Sequence, residues 1–178
     1  MSDSLRPVNM GGVVVLSVMG AIWALVGLVF AGAPVVVWVL PATMALDGII
    51  AGAQLSRHHP PMAAAEKKRI GRLVGLWSGA EGIAIFFANM ALIARHREDL
   101  IVAAICTIVG LHFFALARGI PQPVYWLTAL AMTLLGAGGL LVSSVFGAAV
   151  VGFGAAMILW ITLLGILVPA WVALRAAG

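Results

Sequence analysis

The chain has 178 residues, 63% of them hydrophobic and 9% charged, with a mean hydropathy of +1.16 and a net charge of +4. An ordinary soluble domain is roughly 45–50% apolar and about 25% charged, so this composition excludes one; it points to an integral membrane protein with no nucleic-acid surface. The single cysteine, Cys106, excludes an intrachain disulfide and a thiolate metal cluster.

A bilayer's hydrocarbon core is about 30 Å thick and a helix rises about 1.5 Å per residue, so a crossing needs about 20 apolar residues. Residues 13–32, 35–54, 71–93, 100–118, 124–143 and 150–171 meet that requirement. They predict an all-α, polytopic transmembrane bundle of six helices, residues 1–178 forming a single integral membrane domain.

The first span follows Arg6 and ends at Ala31, Gly32 and Ala33, which resemble a small-residue cleavage site. It is longer than the roughly 7–15 residues of a signal-peptide core, so a retained helix is expected. The second span contains Pro41, expected to remove one backbone hydrogen bond and to serve packing, and Asp47, with Thr43 one turn before and Gln54 two turns after. Residues 55–70 form the longest link. His58 and His59 precede Pro60 and Pro61 and read as a surface loop; the stretch from Ala63 to Arg69 is rich in helix formers and is expected to extend the third helix. Its cations Lys67, Lys68 and Arg69 suit anionic lipid headgroups.

The third span carries Trp77, Ser78 and Glu81, with Asn89 farther along. Gly71, Gly75 and Gly79 repeat at spacing four, as do Gly48 and Gly52 in the second span; this spacing lets helix backbones approach, so both sets are expected to pack against neighbouring helices. His96 lies among Arg95, Arg97, Glu98 and Asp99 in a solvated loop. The fourth span holds Cys106 and His112 and stops at Arg118 and Gly119. Its segment 110–118 resembles a phrase of small bacterial membrane proteins, covers one helix and implies no activity. Pro121 and Pro123 precede the fifth span; the fifth and sixth carry no charge before Arg175, and Pro169 lies near the end of the sixth.

With the N-terminus inside, Arg6, Arg57, Lys67, Lys68, Arg69, Arg72, Arg118 and Arg175 all fall on the inner side, against Arg95 and Arg97 outside. The positive-inside bias therefore predicts both termini in the cytoplasm of a cell with a multi-pass inner-membrane protein.

An ionisable side chain at hydrocarbon depth costs at least roughly 2.5–3.5 kcal/mol and marks a partner or a task. Asp47, Glu81 and His112 lie roughly 10, 15 and 9 Å from the inner ends of their helices. A shared interior cluster of the three is expected, supported by Thr43, Ser78 and Trp77. Such a cluster suits an ion- or proton-coupled transporter or conduit for a small solute. The alternatives are a structural or protein-interaction subunit, a small-ligand sensor, and a metal-dependent intramembrane enzyme using the three as ligands. Enzymatic chemistry is the weaker reading: no HExxH, no Gly-x-Ser-x-Gly and no nucleotide loop is present, and the sequence leaves any cofactor or metal unknown. A six-helix bundle of this size is narrow, which points to a possible homodimer.

Overall fold

The computed structural model describes residues 7–142 and 144–177. Among them every regular element is helical: α1 Met10–Phe30, a 3-10 turn Val35–Trp38, α2 Val39–Ser56, α3 Ala64–Ile93, a second 3-10 turn Glu98–Leu100, α4 Ile101–Gly119, α5 Val124–Leu141 and α6 Val145–Ala177. Six of these stretches are long and apolar enough to cross a bilayer, the architecture of a multi-pass membrane protein. Arg6, and Ser143 at the expected end of the fifth crossing, lie outside the described residues.

Local chemistry sets the helix ends. Asn9 caps α1 by accepting from the Gly12 amide at 3.4 Å. At the other end Gly32 takes a left-handed φ of 63°, with Gly32 N–H donating to Val29 and Ala33 N–H to Leu28, a Schellman closure. His96 occupies the same left-handed position after α3, at φ 54°, with Arg97 N–H donating to Leu92. Glu66 stands in the first turn of α3, where a carboxylate opposes the helix dipole favourably. α3 begins at Ala64, about two turns ahead of its apolar span. Pro41 does not take a helical hydrogen bond from the second crossing: the chain enters through the turn Val35–Trp38, so Pro41 falls in the first turn of α2, where its missing N–H removes no helical bond. Pro169 lies inside α6, which continues to Ala177.

Close contacts give the packing. A side chain at Gly48 would run into Ser17 and Leu163, and one at Gly52 into Val13, so α2 lies antiparallel on α1 and touches α6. Gly20 meets Trp160 and Gly27 meets Gly152, which sets α6 antiparallel to α1. Gly110 seats against the Thr133 backbone and Gly136 against the Thr107 backbone, a reciprocal pair that joins α4 and α5. Thr128 and Thr162 share a buried hydrogen bond of 2.6 Å between α5 and α6. Leu73 of α3 fills the space beside Gly119 of α4. The spatial order is therefore α2, α1, α6, α5, α4, α3, with a core of residues such as Val13, Leu16, Cys106, Ala129, Met132 and Leu159.

α3 is the outlier. It packs extensively only on α4, and Ile70 is its one buried residue. The expectation that Gly71, Gly75 and Gly79 pack against another helix is not met, because no atom lies within 4 Å of a side chain built at any of them. Gly48 and Gly52 show the packing their spacing predicts; the difference lies in whether a neighbour occupies that face, which spacing alone does not specify.

Candidate binding cavity

Because each neighbouring pair is antiparallel, the starts of α1, α3 and α5 meet the ends of α2, α4 and α6 at one end of the bundle. Lys67, Lys68, Arg69, Arg72, Arg118 and Arg175 belong to that basic end. From there a cavity of about 500 Å³ runs into the bundle between α1, α3 and α4. On α3 its wall is a single helical face: Lys67, Ile70, Gly71, Val74, Ser78 and Glu81 recur at three- and four-residue steps. Lys67 and Glu81 are separated by about 21 Å along the helix axis. Lys67 is exposed near the basic end, and Glu81 faces the cavity farther in.

His112 projects from α4 toward the same space. Its Nδ1 lies 3.4 Å from Glu81 Oε2, with the side chains 8% and 18% exposed respectively. The pair is charge-complementary when His112 is protonated, but the imidazole nitrogen has no hydrogen bond to the carboxylate. Among the described residues, no other side chain bonds to Glu81. Phe113, adjacent to His112, packs edge-on against both the imidazole and Tyr125. Tyr125 and Trp23 complete an aromatic wall. Trp23 is 5% exposed and its indole N–H has no acceptor, so a buried donor borders the cavity unsatisfied.

The three-residue cluster expected from sequence does not form. Glu81 and His112 meet, whereas Asp47 is exposed on α2, which packs against α1 and α6 and has no extensive contact with α3 or α4. Among the described residues no group of three or more His, Cys, Asp or Glu side chains is placed to hold a metal ion, so Asp47, Glu81 and His112 do not form the metal-ligand set considered above. Thr43 is also exposed, donating to the Leu40 carbonyl at 2.8 Å. Ser78 lines the cavity; Trp77 does not, and is 40% exposed. Gln54 borders a separate groove with His58 and Trp171 between α2 and α6.

Sequence reasoning missed Trp23, Phe113, Tyr125, Asn9 and Lys67 as lining residues. The face shared by Lys67, Gly71, Val74, Ser78 and Glu81 carried a usable signal, since helical periodicity places all five on one side of α3. The aromatic residues had no such signal, because their role depends on which helices are neighbours. The arrangement can hold a small, largely apolar molecule beside one carboxylate and one imidazole. Compared with protein-family models, with curated proteins and with solved structures, the chain matches none.

Proposed function

We propose that the chain is a coupled carrier or conduit for a small solute, with the cavity between α1, α3 and α4 as its solute site. The observation that carries this reading is the Glu81–His112 pair, 3.4 Å apart in the wall of a cavity of about 500 Å³. A carboxylate and an imidazole facing a cavity inside membrane-spanning helices can exchange a proton or cation with a bound solute. Asp47 has no part in this site. The orientation that accompanies the proposal puts both termini and the basic end on the cytoplasmic side of an inner membrane, supported by the distribution of Lys and Arg. Lys67, Lys68 and Arg69 then face anionic headgroups.

The test uses proteoliposomes loaded with a pH-sensitive dye, given a pH gradient, and offered cationic, neutral and anionic small solutes in turn. Wild-type protein is expected to collapse the gradient with at least one solute, and Glu81→Gln and His112→Ala to abolish that collapse while remaining inserted. A wild-type protein that moves none of them, or variants as active as wild type, would overturn the reading.

A second reading, a membrane interaction subunit that pairs with a second copy, is supported by the open glycine face of α3. Gly79→Cys in a Cys106→Ala background is expected to cross-link between copies if that face is the interface. Monomeric protein after oxidation in membranes would reject it.

A further inference from the structure

We infer that the cavity selects an organic cation with an apolar body, its positive group seated on Glu81. This rests on the reading of the cavity as a solute site and specifies the chemistry of what enters. Among the described residues, Glu81 is the one acidic residue lining the cavity. Its carboxylate faces the cavity without a hydrogen bond among the described residues, and its neighbour His112 stands at 3.4 Å with no hydrogen bond to it. A carboxylate 18% exposed, with no hydrogen bond among the described residues, is complemented best by a cation brought in by the ligand.

The other titratable groups facing the cavity are Lys67 from α3, His112 from α4 and Tyr125 from α5; the lining residues of α1 and α6 include none. Lys67 is exposed and lies about 21 Å along the helix from Glu81. Its charge is screened by solvent over that distance and does not set the preference of the inner part of the cavity. The remaining walls are aromatic and aliphatic, with the largely buried Trp23, Phe113 and Tyr125 among the lining residues, a wall suited to an apolar body. The volume suits a ligand of drug-like size.

The experiment measures saturable binding of tetraphenylphosphonium and its near-isosteric anion tetraphenylborate to the full chain in nanodiscs, above the uptake of empty nanodiscs. The cation is expected to bind at least tenfold more tightly than the anion. Glu81→Gln is expected to weaken the cation at least tenfold, and Glu81→Asp, which keeps the charge, to restore most of it. Gly71→Leu places a side chain in the cavity where nothing lies within 4 Å of its Cβ, and is expected to abolish binding; Gly79→Leu, off the lining, is expected to leave it unchanged. If the anion binds as tightly as the cation, and Gly71→Leu removes both, the cavity is a solute site and the cation selectivity is wrong. If neither ion's binding responds to Gly71→Leu, the solute site itself falls.

Discussion

Removing the charge at Glu81 and at Asp47 probes two unlike environments. Glu81 borders the cavity beside His112, whereas Asp47 is exposed on the outer side of α2 and pairs with no described residue. Asp47→Asn is therefore expected to leave solute binding within about twofold of wild type, while Glu81→Gln lowers it at least tenfold, about 1.4 kcal/mol; parallel binding curves check this. Asp47→Leu is expected to leave stability within about 0.5 kcal/mol of wild type, since the side chain is exposed and pairs with no described residue, as read by denaturation in micelles. His96 offers a second test: a non-glycine residue at φ 54° bears a steric cost that glycine does not. His96→Gly is expected to raise stability by about 0.5–1 kcal/mol in the same assay. Glu81 and His112 were legible in the sequence because ionisable side chains stand out in apolar runs. The place of Asp47 was not, because hydropathy says that a residue lies in a crossing and says nothing of which helix faces it.

Among the helices, the α4–α5 junction and the free face of α3 mark the two extremes of packing. Gly110 and Gly136 each seat against the backbone of the opposite helix, so an added side chain forces the two apart. Gly136→Val is expected to cost about 3 kcal/mol or more, visible as a loss of folded protein in thermal scans. Gly79→Ala, with open space around it, is expected to be neutral or to gain up to about 1 kcal/mol. Both glycines belong to runs of small residues, and the sequence distinguishes them poorly. The number of crossings was readable from apolar length, whereas the capping roles of Asn9 and Gly32 emerge only in the fold. The spatial order α2, α1, α6, α5, α4, α3 was not readable, because it depends on side-chain fit across pairs such as Gly20 and Trp160.

The molecule as a whole joins five closely packed helices to one that leans on a single neighbour. α3 supplies Glu81 and the wall opposite α1, yet it is anchored mainly through contacts with α4 such as Leu73 beside Gly119. Its apolar span, residues 71–93, extends about 35 Å, a few ångströms beyond a hydrocarbon core of about 30 Å. A long helix in a thin bilayer relieves the mismatch by tilting, and the helix with the fewest neighbours tilts most readily. Acyl-chain length thereby becomes a control on the width of the cavity. Cation affinity measured in nanodiscs of short- and long-chain lipids is expected to differ, while the thermal stability of the α4–α5 junction stays the same; equal affinity across the series would show that α3 is held as firmly as the rest.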